Sequence, residues 1–245
     1  MLTIEGVDGV EAYLAEPPEG VPSLGGLVVI HEIWGLVDHI KDVADRFAAQ
    51  GFVVLAPDLL GRVGIRPQLA RDLQAALFDP DQAVRSAVQP RLREATAPIA
   101  DPAFGAATAE ALRRTIDVLL QQPGTGDTVA VTGYCFGGTY SIVAADADDR
   151  VRAAVAFYGL PPQPEAIHPA RAAILELVGD RDERLMAALP GARAAFAAAG
   201  VDFTDHVYPG VGHAFFNDTN PHTYDAAVAA DAWQRTLDFF AAHPA

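Results

Sequence analysis

The stretch Thr128-Val129-Ala130-Val131-Thr132-Gly133-Tyr134-Cys135-Phe136-Gly137-Gly138 decides the reading of this chain. Its first five residues form a β-branched and apolar run, and the residues beyond it, Thr139 to Ala145, suit a helix. A strand therefore passes into a helix through one very tight turn. In such a turn the positions two before and two after the central residue have no room for a large side chain, which accounts for glycine at 133 and 137. The central residue, Cys135, faces the partial positive charge of a helix N-terminus, and the backbone N–H of Phe136 points to where a negative oxygen would develop. Cys135 is thus a candidate nucleophile on a strand-to-helix elbow. The flanking strand and helix argue against a chance match around a buried structural cysteine.

Working outward, the same alternation of strand runs and helical patterns recurs along the chain. Val10 to Ala15 alternates like an edge strand, and Gly26 to Ile30 is a continuous apolar run of the kind a strand covered on both faces needs. Ile40, Val43, Ala44 and Phe47 fall at helical spacing and stop at Gly51, a C-terminal cap. Phe52 to Ala56, Val151 to Phe157, Ala173 to Val178 and Phe203 to Tyr208 complete about seven strands. The Ala-rich patch Ala194 to Ala199, bracketed by Gly191 and Gly200, is a helix end. The class is α/β, with a mostly parallel central sheet flanked by helices, in one domain over residues 1–245. The segment 58–105 breaks the rhythm, having helical pieces, several prolines and no convincing strand. It is either a surface insertion or a helical cap over the C-terminal strand ends, where α/β folds place ligands; the cap is the expectation adopted.

A chain of 245 residues with 51% hydrophobic and 20% charged residues can bury one extensive core. No run approaches the ~18 uninterrupted apolar residues of a membrane span, so no membrane partner is expected. Seventeen Lys plus Arg against 32 Asp plus Glu give a formal charge of −15, which repels a phosphate backbone, and no basic stripe offsets it. Nucleic acid is not an expected partner. The opening Met1-Leu2-Thr3-Ile4-Glu5-Gly6 has neither a basic n-region nor an apolar core, which predicts a cytoplasmic protein. The single cysteine can form no internal disulfide and no multi-cysteine metal site.

A thiol nucleophile needs a base, and the base needs an orienting carboxylate. Gly179-Asp180-Arg181-Asp182 follows the strand Ala173 to Val178, and Tyr208-Pro209-Gly210-Val211-Gly212-His213 follows the next strand. Both loops lie at the rim that carries the elbow. The order Cys135, Asp182, His213 is that of the α/β-hydrolase triad, with Asp182 preferred to Asp180 because the fourth position of the Gly-x-x-Asp turn projects inward. His31, His39, His168, His206, His222 and His243 lack such a setting, and no three have metal-ligand spacing. His31-Glu32-Ile33-Trp34-Gly35 ends the first parallel strand, where the Ile33 amide can serve as the second oxyanion donor. Glu32 is then expected beside Cys135, opposing the helix dipole or accepting the thiol proton.

His-Glu-Ile-Trp-Gly from 31, Ala-Pro-Asp-Leu at 56–59, the elbow at 133–138, Gly-Asp-Arg-Asp at 179–182 and Tyr-Pro-Gly-Val-Gly-His-Ala-Phe at 208–215 together resemble the dienelactone hydrolase family over essentially the whole chain. The resemblance implies an α/β-hydrolase fold, a Cys135-His213-Asp182 triad, Glu32 as the partner controlling the thiol, and no metal or organic cofactor. It also implies a cysteine-dependent hydrolase of small lactones or esters acting through a Cys135 thioester, as members open dienelactone to maleylacetate. Members acting on dienelactone place a carboxylate-binding arginine four residues after the triad histidine, where this chain has Asn217. The segment after Asp58 is also longer than in compact members, which implies a remodelled pocket. Trp34, Arg91, Arg93 and Asn217 are the candidate substrate-binding residues. Two other readings stand beside this one. A DJ-1-like or amidotransferase-type enzyme also sets an elbow cysteine beside a glutamate, but does not call for the late Asp and His loops. A redox-sensing or ligand-binding protein would use the lone thiol on a hydrolase scaffold without turnover.

Overall fold

Runs of apolar residues become the strands of one sheet, and the amphipathic segments between them become its flanking helices. The computed structural model describes residues 1–4 and 10–245. In chain order its main elements are β1 (Leu2–Thr3), β2 (Glu11–Ala15), β3 (Gly25–Ile30), α1 (Asp38–Gln50), β4 (Phe52–Pro57), α2 (Pro67–Leu77), α3 (Gln82–Thr96) and α4 (Pro102–Leu119). They continue as β5 (Val129–Tyr134), α5 (Phe136–Ala147), β6 (Val151–Phe157), β7 (Ala173–Gly179), α6 (Glu183–Ala199), β8 (Phe203–Tyr208) and α7 (Ala226–Ala242).

The strand order is β1-β2-β4-β3-β5-β6-β7-β8, parallel from β4 through β8 and antiparallel where β2 meets β1 and β4. This is the α/β-hydrolase fold. From β3 the chain steps one way to β4 and later returns to β5 on the other side of β3. The carboxyl ends of β3 and β5 therefore flank the point where the winding direction reverses, and α/β sheets open a crevice there. His31 follows one of these strands and Cys135 the other.

The sheet corrects two expectations. Eight strands are present among the described residues, one more than the apolar runs indicate, because β1 is a two-residue bridge pairing Leu2 and Thr3 with β2. Hence β2 is the second strand and not the edge. Gly191 does not bracket a helix end but lies within α6, as does Pro190; burial of Leu185, Leu189, Ala192 and Phe196 along one face carries the helix through both. Gly51 ends α1 as expected, at φ 115°, with its N–H on the carbonyls of Phe47 and Ala48. The segment 58–105 contributes α2, α3 and the first turn of α4, with α2 and α3 packed on each other.

One buried group stands apart from the apolar core. Glu176 on β7 is fully buried, in register with Asp205 of β8, and neither of its carboxylate oxygens has a hydrogen-bond partner. Arg193 of α6 is committed to Asp205 through two contacts of 2.7 and 2.6 Å. Burial, then the charges of Asp205 and Asp182, push Glu176 up to about 8, with Arg193 opposing. The acid is therefore protonated in the folded protein where the unfolded chain has released the proton. Its contribution is fully present below about pH 4.5 and is lost as pH rises through about 8. Glu176→Gln is expected to gain stability relative to wild type between pH 5 and pH 9, by about 2–5 kcal/mol. Urea unfolding at both pH values measures it, and a pH-independent difference contradicts it.

Candidate active site

The elbow is built by close backbone approach. A Cβ on Gly133 would collide with the backbone of Gly137, and one on Gly137 with the carbonyl of Ile30, so the strand-to-helix turn admits only glycine at both. Cys135 between them has φ 55° and ψ −109°, a conformation that costs a side-chain-bearing residue roughly 1–3 kcal/mol. Its own N–H donates to the Phe157 carbonyl at 2.9 Å, and its carbonyl accepts from Thr139 at 3.2 Å, which hold the strained residue in place.

The two loops that follow β7 and β8 are stitched together. Arg181 N–H donates to the Val211 carbonyl at 3.0 Å, and Gly210 N–H donates to Asp180 Oδ1 at 2.8 Å. Asp180 is thereby occupied, and it is Asp182 Oδ2 that meets His213 Nδ1 at 2.6 Å. The same Asp182 caps α6, accepting the Leu185 N–H at 3.2 Å. Behind His213, Phe215 and Phe216 are sunk into the core, and Tyr158 lays its ring 5.0 Å from the imidazole. Burial on its own would lower His213, but its bond to Asp182 and the neighbouring Cys135 sulfur outweigh it and push it up to about 10. Asp182 is held below the usual carboxylate range: burial raises it, and the His213 bond and the Leu185 amide more than offset that.

Cys135, His213, Asp182, Ile33 and Phe136 share one cavity of about 490 Å³. Its remaining wall is mainly apolar, including Ile99, Val143, Leu160 and Leu185. No acceptor among the described residues takes the amide hydrogen of Ile33 or Phe136.

Five expected site residues are placed otherwise. Glu32 is buried, but its carboxylate is turned to the Asn217 amide at 2.5 Å and the Tyr158 hydroxyl at 3.3 Å, with no hydrogen bond to Cys135. Burial raises its pKa, with His39, Asn217, His213 and Tyr158 opposing. Asn217 is itself buried, and its carbonyl accepts from Thr219 N–H and Oγ1 at 3.0 and 2.6 Å, so both ends of the amide are engaged inside the protein, outside the cavity wall. Trp34 is buried edge-on against Phe78 at 5.9 Å, away from the cavity wall. Arg91 and Arg93 lie exposed on α3, outside that wall.

Sequence reasoning missed Tyr158, which joins the two halves of the site: its ring lines the cavity while its hydroxyl meets Glu32. Its signal was the end of β6, next to the elbow strand, where Tyr158 adopts φ 41°. It also missed Ile99 and Gly105, which bring the 58–105 segment to the cavity, and Arg184 at its exposed mouth. Among the described residues no group of three or more His, Cys, Asp or Glu could hold a metal ion, and no helix is long and apolar enough to cross a membrane.

The chain is similar to known proteins over nearly its whole length. Residues 10–244 match the family model described as "Dienelactone hydrolase family". "Protein usf" of Aquifex pyrophilus is 32% identical, the alignment covering 94% of this chain and 92% of that protein. A protein of Yersinia pestis named "Putative carboxymethylenebutenolidase" is 30% identical over 96% of this chain and 85% of its own length. Among solved structures, one titled as a "Putative Dienelactone Hydrolase" of Klebsiella pneumoniae superposes with a TM-score of 0.76 at 25% identity, covering 96% of this chain and 99% of that one.

Proposed function

The chain belongs to the dienelactone hydrolase family, and we propose that it hydrolyses small, uncharged esters or lactones through a thioester on Cys135. The observation that carries this reading is one cavity holding the strained elbow cysteine together with a histidine whose far nitrogen is 2.6 Å from a carboxylate.

In this mechanism Cys135 and His213 share one proton, which resides on His213 when the sulfur attacks. The Cys135 sulfur bonds to the carbonyl carbon, and the carbonyl oxygen takes the negative charge, facing the amide hydrogens of Ile33 and Phe136. Collapse breaks the bond to the alkoxy oxygen, which takes the proton from His213 Nε2 and leaves as an alcohol, or as the opened end of a lactone. Water then gives a proton to His213 and adds to the thioester carbon. The second tetrahedral species expels the sulfur and leaves a carboxylic acid. Asp182 keeps the imidazole in the orientation both steps need and favours its protonated form.

The mainly apolar wall supports an uncharged acyl or ring portion, and the family's carboxylate-binding position is occupied here by Asn217, which faces Glu32 and not the cavity. The 58–105 segment acts as a cap, contributing to that wall Ile99 from the turn between α3 and α4 and Gly105 from the start of α4. A substrate carboxylate here lacks a buried charged partner worth roughly 1.5–3 kcal/mol. The kcat/KM for dienelactone is therefore expected to be at least about tenfold below that for an uncharged butenolide of similar size. Arg184 at the exposed mouth is screened by water and does not reverse the order. Steady-state kinetics on the two lactones test this, and equal or better turnover of dienelactone contradicts it.

A further inference from the structure

His31 is fully buried at the end of β3 and belongs to neither the triad nor the cavity wall. Its two ring nitrogens are both engaged. The Leu59 N–H, just beyond β4, donates to Nε2 at 2.9 Å, so Nε2 is the acceptor and the ring hydrogen is on Nδ1. Nδ1 lies 2.6 Å from the carbonyl oxygen of Glu32, to which it donates. That carbonyl also accepts the Gly35 N–H at 3.2 Å. The C=O of Glu32 and the N–H of Ile33 belong to one planar trans peptide and point in opposite directions. Fixing the carbonyl therefore fixes the amide hydrogen. The imidazole also stacks on the Phe136 ring, with centroids 5.6 Å apart and planes within 9°. One side chain thus holds the residue that carries each oxyanion donor.

Resting on the cysteine mechanism proposed above, we infer that His31 is a positioning residue: it aims the Ile33 amide hydrogen into the oxyanion position and buttresses Phe136 on the opposite side. Burial lowers its pKa, with Asp58, 4.0 Å from Nε2, opposing; the neutral ring this favours is the form that can donate and accept at once. A charged imidazolium would have no acceptor for Leu59.

The test separates oxyanion stabilisation from the reactivity of the thiol. Alkylation of Cys135 by iodoacetamide displaces iodide and develops no oxyanion, whereas ester turnover needs the hole. His31→Phe keeps a ring against Phe136 but neither hydrogen bond. It is expected to lower kcat for p-nitrophenyl acetate about tenfold or more, with the alkylation rate within about twofold of wild type. His31→Gln, which can still donate to the Glu32 carbonyl, is expected to regain most of that kcat. Turnover and alkylation falling together, or unchanged kcat in folded His31→Phe, overturns the role. In wild-type protein, ring nitrogen NMR is expected to place the His31 hydrogen on Nδ1; a hydrogen on Nε2 overturns the inference without any variant. Turnover that survives complete alkylation of wild-type Cys135 would instead overturn the nucleophile assignment itself.

Discussion

Cys135→Ala is expected to lower kcat/KM for p-nitrophenyl acetate by at least about 10³-fold while leaving the protein folded. Removing the sulfur removes the only thiol of the chain. The cavity hydroxyls that remain, on Thr139, Tyr140 and Tyr158, are not on the elbow, and none of them hydrogen-bonds the His213 imidazole. Stability is expected to change by less than about 1 kcal/mol, because alanine at φ 55° carries the same Cβ strain as cysteine and the side chain is only half-buried. A melting curve recorded beside the kinetics distinguishes loss of chemistry from loss of fold. Activity within tenfold of wild type would show that the hydrolysis does not pass through the sulfur.

The second large effect separates the base from its orienting acid. His213→Ala is expected to cost about 10³-fold or more, since no other group can hold the proton between sulfur and leaving oxygen. Asp182→Asn is expected to cost about 10²-fold. Asparagine caps a helix as well as aspartate does, so the bond from Leu185 that starts α6 survives while the charge beside His213 is lost. The pH profile supplies a further sign. Against the opposing effect of burial, Asp182 and Cys135 push His213 up to about 10, and the leaving oxygen takes its proton from the imidazolium. Losing the carboxylate lowers that value, so the alkaline limb of kcat/KM is expected to move to lower pH in Asp182→Asn. An alkaline limb that stays put, or a crippled Asp180→Asn beside a silent Asp182→Asn, contradicts the assignment.

The elements most legible in the sequence were those whose pattern is local. β3 to β7 are apolar along nearly their whole length because helices cover both faces, and such runs stand out in any window. β1 has two residues, too few for any period, and without it β2 reads as an edge. Gly191 looked like punctuation, yet tertiary burial of one face of α6 carries the helix through it and through Pro190. The site divides in the same way. The elbow and the Asp182 and His213 loops are contiguous motifs at strand ends, so residue order and topology bring them to one rim. Direction is what spacing cannot encode. Asn217 and Trp34 lie within four residues of site positions and still turn inward, and Glu32 faces Asn217 and Tyr158 in place of the thiol. Tyr158 and Ile99 reach the cavity from separate segments with no motif around either. His31 has no catalytic setting in the sequence; only the folded protein shows that its partners lead to the Ile33 peptide and the Phe136 ring.

The most direct test of a covalent Cys135 route is to quench the enzyme with acid during the steady state on a slow ester and weigh it intact and after digestion. The expected result is one acyl group added per chain, located on the peptide containing Cys135 and released by hydroxylamine, as a thioester requires. Turnover continuing with no adduct on Cys135, or with the acyl group on another residue, would contradict the account.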